Sequence, residues 1–217
     1  MTLLQSTPCT DLQRCYLCGT DQQITVDHIP PENLFPPPKP TNLITVPGCY
    51  KCNESYSLDD EVFRVFASSV IQRSSAGAWI WRNKVVKSSF QRSPKLLDNV
   101  RNHMAKVAIN TSAGTYQANA LLIPMERANR YLIRITKGLL FKFYPKFDYS
   151  RSSFEVIQLE LNQETVGVLK GLFYDERGDR VFKFWRAVAH DYTFGVFVYS
   201  FYDGPPFMVS VNNRAIT

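Results

Sequence analysis

The sequence has no long apolar run: none of its 217 residues lies in a stretch near the roughly 20 apolar residues that a membrane helix needs. Its first residues, MTLLQSTPCTDLQR, have neither a basic start nor a sustained apolar segment, so no secretory signal is predicted. Internal repeats and low-complexity segments are also missing. We therefore expect a cytoplasmic chain, whose 45% hydrophobic content can build a core in one domain or two small ones.

Cysteine is scarce, yet four of the five cysteines form two Cys-x2-Cys pairs, Cys15/Cys18 and Cys49/Cys52, separated by 30 residues. In a reducing compartment such pairs bind metal more often than they form disulfides. Two pairs supply the four thiolates of a tetrahedral Zn²⁺ shell, and such a closed shell is structural. The competing interpretation, a thioredoxin-type redox pair, requires one Cys-x-x-Cys in a βαβ setting, which this sequence does not show.

Acidic residues are almost missing from the middle of the chain. Residues 62–125 contain nine Lys or Arg residues and one acid, Asp98, whereas residues 1–61 contain three basic and eight acidic residues. An acidic segment therefore precedes a strongly basic one, and this asymmetry favours a polyanionic partner such as nucleic acid. The charges alone are equally compatible with solvated helix faces, so both interpretations stand at this point.

Periodicity places several elements in the first half of the chain. QITVDH and NLITV alternate as two short strands on either side of the proline-rich loop IPPENLFPPPKP. Residues 58–75 predict a helix whose first turn contains three acids, where they favour the N-terminal end of the helix dipole. Residues 93–110 predict a second helix with Ser93 as its cap and Pro94 at its first position.

The second half of the chain changes character. The segment RYLIRITKGLLFKFYPKF fits both a helix and a strand, and we favour the helix. From Phe154 onwards the sequence is rich in aromatic and β-branched residues separated by Gly, Asp and Pro. The segments FEVIQLEL, RVFKFWRAV, FGVFVYSFY and PFMVSV predict a small antiparallel sheet.

The dipeptide Asp27-His28 lies at the end of a predicted strand, inside the loop that the cysteines close. Its neighbourhood resembles the HNH endonuclease family, whose zinc-bearing members read Cys-x2-Cys, Asp-His-x-x-Pro, Asn-Leu, and then Cys-x2-Cys followed by Asn or His. The chain supplies these motifs in order, as Cys15-x2-Cys18, Asp27-His28-Ile29-Pro30-Pro31, Asn42-Leu43 and Cys49-x2-Cys52-Asn53. The resemblance covers residues 15–57, about a fifth of the chain.

The resemblance implies a role for each matched position. His28 is the expected general base that takes a proton from the attacking water. Asn42 is expected to hold the loop and help orient His28. Asp27 and Asn53 are expected to hold one divalent cation, Mg²⁺ or Mn²⁺, as in ββα-metal nucleases. Loops and flanking residues depart from the family pattern, and the three acids at 59–61 are further candidate ligands.

These observations predict an α+β protein with four parts. Residues 1–14 are a flexible N-terminus, 15–58 a ββα-metal (HNH) module stapled by Zn²⁺, 59–150 a helical basic segment, and 151–217 a small antiparallel sheet. The predicted function is metal-dependent HNH endonuclease activity on nucleic acid, with DNA as the expected substrate and no membrane partner. The alternative is a non-catalytic zinc module that binds nucleic acid or protein, with Asp27-His28 as a packing pair.

Overall fold

The structure is a computed structural model that describes residues 14–69, 74–111, 114–160 and 162–213. Within these ranges the strands form three antiparallel sheets, and helices connect and cover them. The expected α+β class is therefore confirmed. In the described part of the chain, no helix combines the length and the apolar character that crossing a membrane requires.

A β-hairpin followed directly by a helix contains most of the predicted site residues. Strands β1 (Ile24–Ile29) and β2 (Ile44–Cys49) pair antiparallel, which confirms both strand predictions. A 3-10 turn, Glu32–Leu34, lies in the proline-rich connection between them. Helix α1 (Tyr50–Ser68) begins at the residue directly after β2, with no linker between the two elements.

Helix α1 begins at Tyr50, whereas the sequence predicted a start at Leu58, so the predicted N-terminus was wrong. The reason is the cap: the Sγ of Cys49 accepts a hydrogen bond from the backbone N–H of Cys52 at 3.4 Å. A thiolate-type acceptor at this position satisfies one of the free N–H groups of the first turn. The acids at 59–61 consequently lie in the middle of the helix and not in its first turn.

The middle of the chain is less helical than predicted. Its elements are α2 (Ser75–Ile80), a π-helix (Trp81–Ser89), α3 (Phe90–Arg92), α4 (Pro94–Asn102), β3 (Met104–Thr111) and β4 (Gly114–Leu121). The predicted helix 93–110 is wrong beyond Asn102, because the chain turns there into a hairpin. In that hairpin Val107 lies opposite Ala118, a small cross-strand pair that sequence periodicity did not reveal.

The C-terminal region forms a five-stranded antiparallel sheet, which confirms the predicted small sheet. It is preceded by helix α5 (Met125–Phe143), which confirms the helical interpretation of that ambiguous segment. The remaining elements are β5 (Ser153–Gln158), α6 (Gln163–Leu169), β6 (Phe173–Arg177), β7 (Phe182–Val188), β8 (Phe194–Phe201) and β9 (Phe207–Asn212). The strand order in the sheet is β5-β9-β8-β7-β6.

One hydrophobic core joins the hairpin, α1, α5 and the C-terminal sheet. The ring of Phe63 in α1 stacks on Tyr131 of α5 at 3.9 Å between centroids and meets Phe201 of β8 edge-on at 4.8 Å. A second, smaller cluster packs Val65 of α1 against Val85 of the π-helix and Leu96 of α4. Helix α1 is therefore fixed both to the sheet and to the basic middle segment.

The contact between α5 and β1 allows no side chain at Gly138. A Cβ added there would lie 2.6 Å from Cδ1 of Ile29, which is fully buried. We expect Gly138→Ala to lower the free energy of unfolding by about 1–3 kcal/mol, because the close approach forces the core to shift. Urea unfolding measures this change, and the double variant with Ile29→Ala should lose less than the sum of the two single variants.

A matched control for this prediction is Gly167→Ala in α6, where an added Cβ meets nothing within 4 Å. Alanine has the higher helix propensity, so this variant should be as stable as the wild type or up to about 1 kcal/mol more stable. Equal unfolding midpoints for Gly138→Ala and the wild type would contradict the close α5–β1 contact.

Candidate metal centre and adjoining cavity

The four paired cysteines come together in one cluster. The sulfur atoms of Cys15, Cys18, Cys49 and Cys52 all lie within 4.8 Å of one another, and those of Cys18 and Cys49 are 3.7 Å apart. In a tetrahedral shell with Zn–S bonds of about 2.3 Å, neighbouring sulfurs are separated by about 3.8 Å. The cluster can thus hold a metal ion, and its geometry is consistent with a structural Zn²⁺.

Local backbone geometry explains why these cysteines converge. Gly19 has φ +74, a left-handed conformation that glycine adopts without strain, and its N–H donates to the carbonyl of Cys15 at 2.8 Å. The N–H of Tyr16 donates to the carbonyl of Pro47 at 2.9 Å, which fixes the first pair beside β2. Burial opposes ionisation of Cys15, but backbone hydrogen bonds, the largest from Cys49, lower its pKa to about 7.

Asp27 is buried and fully engaged by protein donors. Its side chain points from β1 towards α5, where Nη2 of Arg134 donates to Oδ1 at 2.8 Å and to Oδ2 at 2.9 Å. The hydroxyl of Tyr16 donates to Oδ2 at 2.8 Å. Both carboxylate oxygens therefore already have strong, charge-assisted partners.

Arg134 joins Asp27 to a second buried carboxylate. Its Nη1 donates to Oδ1 of Asp60 at 2.6 Å, and its Nε donates to the hydroxyl of Tyr16 at 3.3 Å. Burial raises the pKa of Asp60 to about 6, while Arg134 opposes that rise. Burial would lower the pKa of Arg134, but Asp60, Tyr16 and Asp27 raise it above its usual value, so the guanidinium stays charged.

The neighbouring acid of α1 is also paired with α5. Asp59 is 1% exposed, and its two oxygens accept from Nη1 of Arg127 at 2.7 Å and Nε of Arg130 at 2.9 Å. Glu61 lies instead beside Arg64, at 3.5 Å. Of the three acids named as further metal ligands, only Asp60 lines the cavity beside His28.

His28 is half-buried and faces an open cavity of about 310 Å³. On the α1 side of this cavity, Asn53 donates through Nδ2 to Oγ1 of Thr25 at 2.8 Å. The Oδ1 of Asn53 is buried, and within the described residues it accepts no hydrogen bond. The cavity is lined by Asp27, His28, Pro31, Glu32, Asn33, Asn53, Ser57, Asp60 and Arg134.

Asn42 does not line this cavity. It lies in an exposed turn just before β2, whereas Asn33, from the 3-10 turn, lines the cavity and has a buried Oδ1 without a partner among the described residues. The dipeptide Asn-Leu occurs at both positions, as Asn33-Leu34 and Asn42-Leu43. The resemblance assigns the middle asparagine to Asn42, whereas Asn33 lines the same cavity as His28.

The predicted cation ligands fit a divalent ion only in part. Asn53 offers an unpaired, buried oxygen of the hard type that Mg²⁺ and Mn²⁺ prefer. Asp27 does not fit as a free anionic ligand, because one guanidinium binds both of its oxygens. Arginines recur at helical spacing on α5 (127, 130 and 134), but this spacing does not identify Asp27 as the partner of Arg134.

No protein-family model matches the chain, and no curated protein is significantly similar to it.

Proposed function

We propose that the chain is an HNH-type endonuclease that hydrolyses phosphodiester bonds in nucleic acid, with DNA as the expected substrate. The observation that supports this most is the position of His28. It stands on the β-hairpin that runs directly into helix α1, at the wall of an open cavity, and the four-cysteine cluster lies at the other end of the same hairpin. A water molecule and a phosphate group can both reach an imidazole in such a position.

In this reaction the imidazole of His28 takes a proton from a water molecule. The water oxygen forms a bond to phosphorus, and the bond between phosphorus and the 3′ oxygen breaks. The products are a 5′-phosphate and a 3′-hydroxyl, which takes up a proton from solvent. Histidine suits the role of base because its charge changes near neutral pH, and it must lie within hydrogen-bond reach of the water.

The basic middle segment supports a nucleic-acid substrate. Arg82, Lys84 and Lys87 on the π-helix are exposed. The acid in this segment, Asp98, lies 3.5 Å from Arg101 and is itself exposed. Cations arranged on one segment can contact successive phosphates of a nucleic-acid backbone.

Charge reversal of Arg82, Lys84 and Lys87 together is expected to weaken nucleic-acid binding for all sequences alike. Each phosphate contact that is lost lowers the number of counterions released on binding. The slope of log affinity against log salt should therefore flatten by about one unit per contact. Fluorescence anisotropy at several salt concentrations measures this slope. The control reverses the exposed Lys142, Lys146 and Lys170, which changes the net charge equally. Equal slopes for the two triple variants would mean that Arg82, Lys84 and Lys87 make no phosphate contacts and are only exposed to solvent.

The proposal is tested by incubating purified, zinc-loaded protein with plasmid, linear duplex, single-stranded DNA and RNA, in Mg²⁺ or in Mn²⁺. Nicking or cutting of at least one substrate is expected, and the substrate panel decides between DNA and RNA. Cleavage of none of them, together with measurable binding, would favour the second candidate function.

That second candidate is a non-catalytic zinc module that binds nucleic acid or protein. The observation in its favour is the ion pair of Asp27, whose carboxylate packs against Arg134 inside the fold. In this interpretation Asp27 and His28 stabilise the hairpin and perform no chemistry.

A further inference from the structure

Strands β3 and β4 form a two-stranded ribbon. They pair with one another from Met104 opposite Leu121 to Thr111 opposite Gly114, and with no other strand of the described chain. Each strand has eight residues, which gives the ribbon a length of about 26 Å. Because a two-stranded ribbon by itself is only marginally stable, its length points to a use outside the core.

The two faces of this ribbon differ in composition. Residues that lie directly opposite one another share a face, as does every second residue along a strand. One face is apolar and half-buried, with Val107 opposite Ala118. The other face, which we call the amide face, is exposed and carries Met104, Lys106, Ala108, Asn110, Thr115, Gln117 and Asn119. The amide face therefore offers hydrogen-bond donors and acceptors to a partner.

The segment that contains the ribbon has no acidic residue. From Asn99 to Met125 the sequence includes Arg101 and Lys106 but neither Asp nor Glu. Lys106 lies on the amide face, directly opposite Asn119. A surface of neutral amides and cations without carboxylates is complementary to a polyanion that also presents hydrogen-bonding groups.

The base of the ribbon packs on the hydrophobic cluster that also fixes the basic π-helix. Leu121 of β4 packs against this cluster, which includes Val85 of the π-helix and Val100 of α4. The exposed cations of the π-helix and the amide face of the ribbon are thus attached to one body. Both can contact the same nucleic-acid molecule, the first at phosphates and the second at bases.

We infer that the amide face enters the major groove of duplex DNA and reads base edges through Gln117 and Asn119. The major groove of B-form DNA is about 12 Å wide and admits a two-stranded ribbon, and Asn or Gln binds adenine there through N6 and N7. The major groove of duplex RNA is too narrow for side chains to read. This inference rests on the proposed function, because it names the substrate class of the same protein.

The test is selection of preferred sequences from duplex DNA with a randomised centre. The whole zinc-loaded chain is used without Mg²⁺ or Mn²⁺, so that binding is measured without cleavage. The wild type should enrich a motif that contains adenine, and Gln117→Ala/Asn119→Ala should not. In anisotropy titrations this double variant should bind the enriched duplex at least about tenfold more weakly. Its affinity for a scrambled duplex and its salt slope should match those of the wild type, because no charge is removed.

The control variant Gln22→Ala/Gln163→Ala removes two exposed amides outside the ribbon and should keep the wild-type preference. A second control changes the DNA: 7-deazaadenine lacks the N7 acceptor of the major groove but still pairs with thymine. In the enriched duplex it should weaken binding by the wild type and have no further effect on Gln117→Ala/Asn119→Ala. Circular dichroism and zinc content show that each variant is folded.

Several results would overturn the inference. They are the absence of an enriched motif, the same motif with Gln117→Ala/Asn119→Ala, and tighter binding to duplex RNA than to duplex DNA. Dimers of the wild type in sedimentation velocity that this double variant dissociates would assign the ribbon to a second copy of the chain and would overturn it as well.

The outcome is separable from that of the proposed function. A motif that depends on Gln117 and Asn119, without cleavage of any nucleic acid, would support the inference and contradict the nuclease. Cleavage by the wild type without any enriched motif would do the opposite.

Discussion

His28→Ala should lower phosphodiester cleavage by about 10²–10⁴-fold, the contribution that a positioned general base usually makes. Alanine cannot take the proton from water, whereas the hairpin should keep its shape. His28 lies opposite Thr45, one residue from the end of β1, and is only half-buried, so its removal leaves no large cavity. Zinc content and nucleic-acid affinity should therefore remain close to those of the wild type, and single-turnover cleavage rates measure the loss.

The matched control is His190→Ala. His190 is exposed and lies between β7 and β8, and the proposed chemistry does not use it, so this variant should cleave at the wild-type rate. If His28→Ala cleaved as fast as His190→Ala, the activity would come from another site or from a contaminating nuclease.

Cys49→Ser should abolish the zinc binding that we expect of the four-cysteine cluster and unfold the β1–β2 hairpin together with the start of α1. Cys49 has two roles, since its sulfur belongs to the four-cysteine cluster and also caps α1 by accepting from the N–H of Cys52. In small zinc-stapled units the metal contributes about 10–16 kcal/mol of apparent binding free energy, and this energy is also folding energy. Loss of one ligand should therefore have a larger effect than loss of any single core contact.

The measurements are native mass spectrometry for the metal and proteolysis for the hairpin. Wild-type protein should carry close to one equivalent of zinc, and Cys49→Ser should carry none and be cut within residues 15–57. Cys9→Ser provides the control, since Cys9 lies outside the described residues and has no predicted role. Metal-free wild-type protein with a protease-resistant hairpin would contradict the structural zinc.

Local patterns were sufficient for the parts of the fold that neighbouring residues determine. Three patterns can each be recognised within a few residues of sequence. They are the alternation in β1 and β2, the two cysteine pairs, and the aromatic strands after Phe154. They were predicted from sequence and are found in the structure. Helix α5 was ambiguous locally, and its packing between the hairpin and the C-terminal sheet decides in favour of a helix.

What the sequence did not reveal depends on distant partners. The start of α1 is set by a cysteine cap, and β3 exists because β4 pairs with it. Within the site, the bond between Asp27 and Arg134 joins residues that no local pattern connects. Three arginines of α5 likewise form ion pairs with acids of α1 and β1 that are distant in sequence.

The most direct test of the proposed hydrolysis is cleavage in water enriched in ¹⁸O, followed by mass spectrometry of the product ends. Attack by a water molecule that His28 activates predicts one ¹⁸O atom in each new 5′-phosphate and none in the 3′-hydroxyl. The label should appear with wild-type protein, and with His28→Ala the amount of labelled product should fall by the same factor as the cleavage rate. Cleavage that leaves 3′-phosphates or cyclic phosphates without ¹⁸O at the 5′ ends, or no cleavage at all, would contradict this account.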